Sequence, residues 1–451
     1  MMKKVIACVV AALTAVALMA SDSCPLSGSW RGKLALGPMK LPLVFNFSTD
    51  NGHLQCTLDS PSQGAKGIPV EVVLCTADSL SLSCPSIGAT YSGRISSRAI
   101  KGNFSQRGYT FPLNLAPDSP NEDRRPQTPR PPYPYTVIDT VFTAPDGAVM
   151  SATLTLPAST TKKKVSAVVM VTGSGPQNRD EEIFDHKPFA VIADYLARNG
   201  VASLRYDDRG VAKSTGDFQS ATTFTFKDDA KAAVKFLRTF RNIGKVGVLG
   251  HSEGGTIAFM LGAESVPDFI VTLAGLSVSG KDGLLRQNRH AMDAANLSQA
   301  DKEAALQVIG RLFDTLAEQH LHGKSSPVDV DSLVSAVGVD IPSELVTSLK
   351  MTQKNRTPWM DAFLAMEPAK YLRKIKCPML AVNGDKDTQV YPDNLTLIQQ
   401  LVPKAKTLLM PGLNHLMQHA STGEVAEYDQ IRETMSPEVL DAVLQFILHL
   451  R

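Results

Sequence analysis

The chain has 451 residues, of which 43% are hydrophobic and 20% are charged, and its formal net charge at pH 7 is +2. This composition is typical of a soluble globular protein and excludes an intrinsically disordered chain. The length predicts two domains rather than one, and the near-neutral charge favours no nucleic-acid partner. The strongest basic run, residues 162–164, is only three lysines long and indicates a solvated loop.

The first twenty residues, 1–20, are predicted to be a secretory signal peptide. Lys3 and Lys4 precede an apolar stretch at residues 5–20, and polar residues follow from Ser21. The stretch is short for a membrane span, which needs ~20 residues, and no other segment predicts stable membrane insertion. We therefore expect an exported protein, periplasmic or secreted, in a compartment where disulfides form.

Residues 25–115 predict a small antiparallel β domain. Runs such as KLPLVFNFS, HLQCTLDS and VEVVLCTA alternate apolar and polar residues, and turn-forming residues bound each run. This period of two, with turns at this spacing, is typical of a sandwich or a barrel. No catalytic set of residues stands out, which favours an accessory packing role over the alternative of a carbohydrate- or envelope-binding module.

Five of the six cysteines lie outside the predicted signal peptide. Cys75 and Cys84 bracket the segment TADSLSLS and could bridge a hairpin, although spacing alone leaves the pairing open. No CxxC pair or His/Cys cluster has the spacing of a zinc site, so no metal is expected.

A proline-rich linker is predicted at residues 116–134, and it separates the β domain from a second domain at residues 135–451. The second domain begins with an antiparallel strand pair, after which apolar strands alternate with amphipathic helices. Such alternation is typical of a mostly parallel, doubly wound sheet of the α/β class. It stops at about residues 281–372, whose polar helical segments predict an insertion between strands of one sheet.

Ser252 is the candidate nucleophile. It lies in GHSEG, residues 250–254, which fits the pattern G-x-S-x-G between a predicted strand and a predicted helix. The glycines suit a strained strand-to-helix turn in which a flanking side chain would clash. The positive end of the helix faces the serine, and we expect His251 to point away from it.

The base and the acid are expected later in the chain, each in a loop at the carboxyl end of a strand. His415, in MPGLNHLMQ, fits the base, and His419 is the alternative. Asp387, after CPMLAVNG, fits the acid through the spacing G-x-x-D-x-x-V, and Asp385 is the alternative. The acid would hold the imidazole tautomer and stabilise its charged form.

Two backbone amides are predicted to form an oxyanion hole. One belongs to Glu253, which follows the nucleophile, and the other to Ser174 in the loop VTGSGPQNRD, with Gly175 as the alternative. The loop lacks the third glycine of a dinucleotide-binding fingerprint, so no cofactor is expected.

The segments VTGSGPQNRDE, LRYDDRGVAKSTG, VLGHSEGG, PWMDAFLAMEP, CPMLAVNGDKDTQV and PGLNHLMQ, taken in this order, resemble an α/β-hydrolase-fold esterase. The subgroup is the serine aminopeptidase S33 or hydrolase 4 type, and the likeness covers residues 135–451. The resemblance is to secreted bacterial carboxylesterases that carry an extra N-terminal β domain. The resemblance implies a triad of Ser252, Asp387 and His415, with the helical insertion as a cap over the site.

The loop segments differ from the family in one place. Thr172 stands where many such proteins have histidine before the oxyanion glycine. Asp208 and Arg209, in the RYDDRG segment, are typical of the family and are expected to brace the loop rather than to react.

The resemblance implies acyl transfer in two steps, in which an acyl-enzyme forms on Ser252 and water releases the acid. The substrate would be a small-molecule ester or an acylated carbohydrate. A peptidase or amidase on the same triad, and a non-catalytic binding protein on a hydrolase scaffold, are the alternatives. No pattern in the sequence selects an acyl group or an oligomeric state.

Overall fold

The computed structural model describes residues 24–36, 39–63, 65–96, 98–118, 125–158, 164–294, 297–338 and 340–450. The predicted signal peptide at residues 1–20 lies outside these described residues. The chain divides into two compact units. The first unit runs to Asp118, except for residues 35–43 and 59–66, which group with the second unit from residue 119 onward.

The N-terminal strands form a closed barrel of eight strands in chain order. The strands are β1 (Gly28–Leu36), β2 (Met39–Asp50), β3 (His53–Ser60), β4 (Ala65–Cys75), β5 (Ser79–Cys84), β6 (Ala89–Ile95), β7 (Ile100–Gln106) and β8 (Tyr109–Pro117). β1 closes the barrel by pairing antiparallel with β8, with Trp30 opposite Pro117. Strand β5 shows the predicted alternation, since Leu80 and Leu82 are buried while their neighbours are half-buried. The predicted small all-β domain is therefore confirmed, as a barrel.

The disulfide of the barrel joins Cys24 to Cys75, so the possible hairpin bridge between Cys75 and Cys84 does not form. The register of the strands explains the difference. Cys75 lies opposite Leu80 in the β4–β5 ladder, and Cys84 is four residues farther along β5. At ~3.3 Å per residue, that separation is too long for a disulfide. Cys84 is a buried free thiol.

The second unit contains an eight-stranded sheet with the order β16-β15-β14-β13-β11-β12-β10-β9. Its strands are β9 (Thr136–Thr143), β10 (Val149–Leu156), β11 (Val165–Val171), β12 (Ala202–Tyr206), β13 (Ile243–His251), β14 (Phe269–Leu273), β15 (Met379–Gly384) and β16 (Lys406–Met410). β9 and β10 form the predicted antiparallel pair. The strands from β11 to β16 pair in parallel with one another, and β12 joins them to the pair through an antiparallel ladder with β10. The strand order reverses at β11, and in open sheets ligands bind at the carboxyl ends of the strands beside such a point.

Helices cover both faces of this sheet. The helices are α1 (Pro188–Arg198), α2 (Thr223–Leu237), α3 (Glu253–Ala263), α4 (Gly280–Asp293), α5 (Gln299–Leu321), α6 (Val330–Val337), α7 (Ser343–Lys354), α8 (Pro358–Leu364), α9 (Pro368–Leu372), α10 (Asp393–Leu401) and α11 (Pro437–His449). Val169 and Val248 pack on the face that carries α2 and α3. Val168 and Leu249, their neighbours along β11 and β13, pack on the opposite face with α1 and α11. The doubly wound sheet predicted from the apolar strands is confirmed.

Six helices, α4 to α9, lie between β14 and β15 and interrupt the alternation of strands and helices. They have a small core of their own, built around Leu312, Phe313 and Leu316 of α5. Among the described helices, none combines the length and the apolar character that crossing a membrane requires. The predicted linker at residues 116–134 lies where β8 ends at Pro117 and β9 begins at Thr136.

Candidate active site

Ser252 occupies a sharp turn at the carboxyl edge of the sheet. β13 ends at His251, and α3 begins at Glu253. The backbone of Ser252 has φ 54° and ψ −118°, a conformation that residues other than glycine rarely adopt. Its amide donates to the carbonyl of Leu273, at the end of β14, over 2.9 Å. The sheet therefore holds this serine in a strained turn, as a nucleophile elbow requires.

Gly250 and Gly254 make the turn possible. A Cβ on Gly250 would overlap the carbonyl oxygen of Gly254, and a Cβ on Gly254 would overlap the carbonyl oxygen of Val171. Both oxygens belong to the backbone and have no side-chain torsion by which to move away. The steric reason for the G-x-S-x-G spacing is therefore present on both sides of the serine.

His415 and Asp387 lie in the loops after β16 and β15 and are joined by a hydrogen bond. His415 Nδ1 is 2.9 Å from Asp387 Oδ2. Asp387 Oδ1 accepts hydrogen bonds from the amides of Gln389 and Val390, each over 2.9 Å. The Asp387 side chain is fully buried, so these bonds fix its orientation. This contact suits the tautomer in which Nδ1 carries the proton and Nε2 is free to accept one.

The alternative acid and base have other partners. Asp385 Oδ1 accepts a hydrogen bond from the amide of Gly412 over 2.6 Å, which shapes the turn after β16. His419 is exposed and lies with Nδ1 2.9 Å from Glu433 Oε2. His415 lines the cavity at the serine and His419 does not.

A cavity of about 250 Å³ lies over the turn and is lined by both Ser252 and His415. Its apolar and polar walls include Gln177, Ile183, Phe184, Gln389, Leu416 and Tyr428. This volume is small for a ligand pocket and suits a short acyl or alcohol group. Among the described residues, no three His, Cys, Asp or Glu side chains are placed to hold a metal ion.

The residues predicted to form the oxyanion hole flank the serine. Glu253 is the first residue of α3, so its amide has no carbonyl partner within the helix. Ser174 lines the cavity and follows Gly173. Gly173 is so close to the serine that a Cβ there would lie 3.2 Å from the Cβ of Ser252. Gly175, the alternative, has φ 96° and therefore needs to be glycine.

The loop after β11 is braced from β12, as the resemblance implied. The hydroxyl of Thr172 donates to Asp208 Oδ1 over 2.9 Å, and the amide of Gln177 donates to Asp208 Oδ2 over 3.0 Å. Burial raises the pKa of the Asp208 carboxyl well above its ordinary value. Arg209 pairs with Asp229 instead. Thr172 therefore braces the loop through its hydroxyl.

Sequence reasoning missed the pair of Glu181 and His251. The side chain of His251 was expected to point away from the serine, but it lines the same cavity. Its Nδ1 lies 2.9 Å from Glu181 Oε1, and its Nε2 lies 2.9 Å from the carbonyl oxygen of His415. The two residues are 70 positions apart in the chain. The acidic end of VTGSGPQNRDE was the only local signal for this contact.

The buried side chain of Glu253 accepts hydrogen bonds from two donors. Its Oε1 accepts from the hydroxyl of Thr223 over 2.6 Å and from the indole Nε1 of Trp359 over 2.8 Å. Burial raises the pKa of the Glu253 carboxyl. Because Trp359 belongs to α8, this contact ties the helical insertion to the first turn of α3.

The order of the sheet, the helical insertion and the serine at a strained strand-to-helix turn define an α/β-hydrolase fold, as predicted. A family model described as X-Pro dipeptidyl-peptidase (S15 family) matches residues 146–417. This match covers more than half of the chain, and the chain belongs to the peptidase S15 family. The likeness to the S33 type stays a resemblance of motifs.

Curated relatives are named as an esterase and as acyl transferases. The chain is 27% identical over 258 residues to the esterase EstD of Thermotoga maritima, a match that covers 56% of this chain and 54% of that protein. It is 25% identical over 249 residues to an acyl transferase of Shewanella hanedai, covering 55% of this chain and 75% of that protein. The chain therefore spans about half the length of the Thermotoga relative.

Solved structures include an esterase of Pyrococcus furiosus with a TM-score of 0.42 and 16% identity. The match covers 70% of this chain and 93% of that one. At this level of similarity, the fold assignment rests on the strand order of the chain itself.

Proposed function

We propose that the protein is a serine esterase that hydrolyses carboxylic esters with Ser252, His415 and Asp387. The observation that carries this proposal is the 2.9 Å hydrogen bond between His415 Nδ1 and Asp387 Oδ2, at a cavity that His415 shares with Ser252. A serine hydroxyl is a weak nucleophile by itself. A histidine that is oriented by a buried carboxylate can take its proton and activate it.

The proposed reaction begins when Ser252 Oγ attacks the ester carbonyl carbon and His415 Nε2 takes the hydroxyl proton. The amides of Glu253 and Ser174 would bind the oxyanion, and one such donor contributes about 3–4 kcal/mol to catalysis. His415 then gives its proton to the leaving alkoxide, which departs as the alcohol. Water attacks the acyl-enzyme while His415 takes a proton from it, and the acid is released.

The cavity favours an ester over a peptide. A dipeptidyl-peptidase has to bind a charged amino terminus, for which a free carboxylate is the natural partner. Among the described residues that line the cavity, the one carboxylate is Glu181. Its Oε1 already accepts from the amide of Gly173 and faces the ring of His251. An uncharged ester needs no such partner.

A substrate panel tests the reaction class. The panel compares p-nitrophenyl acetate, butyrate and octanoate with aminoacyl- and Xaa-Pro-nitroanilides, and includes an alcohol acceptor because the Shewanella relative is named an acyl transferase. We expect ester hydrolysis to dominate, with short acyl groups preferred. Faster turnover of a nitroanilide would contradict the esterase proposal, and acyl transfer to the alcohol in preference to water would make the protein a transferase.

Substitutions test the triad. We expect Ser252→Ala, His415→Gln and Asp387→Asn each to lower kcat about 10³-fold or more. His419→Gln and Asp385→Asn are matched controls, because they replace the alternative base and acid, and should retain most of the activity. Full activity in Ser252→Ala would refute the assignment.

The setting of this enzyme is part of the same proposal. The basic and apolar pattern of residues 1–20 supports export to the periplasm or the medium. The contact of Trp359 with Glu253 supports a cap role for α4 to α9.

Small esters and acylated carbohydrates are the proposed substrates. Sequencing the amino terminus of the exported protein tests the removal of residues 1–20, since an intact Met1 would contradict cleavage.

A further inference from the structure

Both ring nitrogens of His251 face hydrogen-bond acceptors. Nδ1 lies 2.9 Å from Glu181 Oε1, and Nε2 lies 2.9 Å from the carbonyl oxygen of His415. A neutral imidazole carries one N–H and can donate only one of these bonds, whereas an imidazolium donates both. The geometry is therefore that of a charged His251 paired with a carboxylate.

The contacts of Glu181 extend this pair into a chain of hydrogen bonds. Glu181 Oε1 also accepts from the amide of Gly173 over 2.7 Å. The side chains of Glu181 and His251 are 5% and 8% exposed, so water competes little for these bonds. The chain of bonds connects the loop that carries Ser174, the residue before the nucleophile and the backbone of His415.

We propose that Glu181 and His251 are positioning residues. As a charged pair, they hold the backbone of His415 and the loop at Gly173 in place beside Ser252. The proposal rests on the proposed esterase function, since it concerns the same site. Asp387 orients the ring of His415, while His251 holds the main chain of His415.

Other charged or titratable groups act on the pair. The ring of His415 lies with its centroid 4.8 Å from that of His251. The charge of Asp387 acts on His251, and the charges of Glu181 and Asp208 act on each other. Burial disfavours the imidazolium, but the charge and hydrogen bond of Glu181 outweigh it and raise the pKa of His251 above its ordinary value. The charged form is therefore favoured relative to an ordinary histidine, and it is lost as the pH rises through this raised pKa. The neutral ring keeps its one N–H on Nδ1, toward the carboxylate of Glu181, which is the stronger acceptor, and Nε2 no longer donates to His415.

Two substitutions of His251 separate its two bonds. The side-chain nitrogen of Gln reaches the position of Nε2, so His251→Gln keeps a donor to the His415 carbonyl and loses the contact with Glu181. The nitrogen of Asn matches Nδ1, so His251→Asn keeps the contact with Glu181 and loses the one with His415. We expect kcat for p-nitrophenyl butyrate to fall at least about tenfold more in His251→Asn than in His251→Gln, with similar KM. Equal losses in both variants would overturn the positioning role, because they would indicate only a packing defect.

The pH profile gives a second, independent measurement. In Glu181→Gln the amide oxygen can still accept from Gly173 and from a neutral His251, but the negative charge is gone. We expect the alkaline decline of kcat to move to lower pH in this variant. In the His251→Gln background the same substitution should leave the profile unmoved. An unshifted profile in Glu181→Gln, or an equal shift in both backgrounds, would overturn the proposal even if His251→Asn fails to fold.

The activity of Ser252→Ala separates this inference from the proposed function. An active Ser252→Ala variant would refute the triad itself. An inactive Ser252→Ala with unchanged Glu181 and His251 variants would refute only the positioning pair.

Discussion

The indole Nε1 of Trp359 donates a hydrogen bond to Oε1 of Glu253, 2.8 Å away. Trp359 lies on α8 of the helical insertion, and Glu253 begins α3 directly after Ser252. The amide of Glu253 is one of the two groups proposed to bind the oxyanion. A displacement of the insertion would therefore act on a residue beside the nucleophile, through a single side chain.

Trp359→Phe tests this connection. The substitution removes the donor but keeps a ring that can stack on Phe363, whose centroid is 5.0 Å from that of Trp359. The buried carboxyl of Glu253 then has one donor fewer, at a cost of about 1–3 kcal/mol. We expect a lower midpoint of thermal inactivation and a kcat for short esters that falls several-fold.

The control for this change is Thr223→Val, which removes the other donor to the same oxygen without touching the insertion. It should lower the thermal midpoint comparably while changing kcat less than Trp359→Phe does. A larger fall of kcat in Thr223→Val would contradict a link through the insertion.

The buried ion pair of Arg209 and Asp229 is expected to stabilise the packing of the loop after β12 against α2. Arg209 Nε and Nη2 lie 2.8 and 2.6 Å from the two carboxylate oxygens, and the side chains are 6% and 1% exposed. Asp229→Asn leaves the guanidinium charge buried without this partner, and we expect a loss of about 3–5 kcal/mol in the free energy of unfolding. The far-ultraviolet helix signal in urea measures it.

Asp146→Asn is the matched control, because Asp146 pairs with the same arginine over 2.7 Å but is 54% exposed. Its removal should cost at most about 1 kcal/mol. Equal losses for Asp146→Asn and Asp229→Asn would show that burial does not set the strength of this pair.

Local patterns carried most of what the sequence could predict. The spacing G-x-x-D-x-x-V corresponds to a local contact, because Asp387 Oδ1 accepts the amide of Val390, three residues later, over 2.9 Å. The glycines around Ser252 are required by clashes with nearby backbone. Strand and helix periodicity predicted a small all-β domain, as a sandwich or a barrel, and the doubly wound sheet, because burial on one or both faces leaves a regular pattern.

Contacts between distant segments could not be predicted in this way. Glu253 and Trp359 are 106 positions apart, and no periodicity relates them. The pairing of Cys75 was missed because it depends on strand register, which a local sequence leaves open. The orientation of His251 was predicted from its place next to Ser252, whereas its ring contacts Glu181, which a different loop supplies.

The disulfide between Cys24 and Cys75 is expected to stabilise the barrel. It joins residues that are 51 positions apart, and closing a loop of this size contributes about 4 kcal/mol in the chain-entropy treatment. In a Trp359→Phe background, Trp30 of the barrel is the remaining tryptophan, so its fluorescence reports the barrel. We expect Cys24→Ser to lower the urea midpoint of this signal.

Cys377→Ser, which replaces a free cysteine of the second unit, should leave that midpoint unchanged. A reductant should lower the midpoint of the parent and have no effect on Cys24→Ser. If the reductant shifted both proteins equally, the fluorescence change would have another cause.

His186 is expected to make the stability of the second unit depend on pH. It is fully buried, with Nδ1 2.9 Å from the hydroxyl of Thr434 and Nε2 3.1 Å from the carbonyl oxygen of Tyr428. Burial, with the nearby charge of Arg125, lowers the pKa of His186 to about 3. In the unfolded chain the pKa is ~6.5, so between these values the unfolded state binds the extra proton.

The contribution of neutral His186 to the free energy of unfolding is therefore fully present above pH ~6.5. It is lost as the pH falls, by up to about 1.4 kcal/mol per pH unit. We expect the difference in unfolding free energy between the parent and His186→Gln to shrink by this slope between pH ~6 and ~4, measured by the helix signal in urea. A difference for His186→Gln that stays constant over this range would mean that His186 is protonated in the folded protein at these pH values.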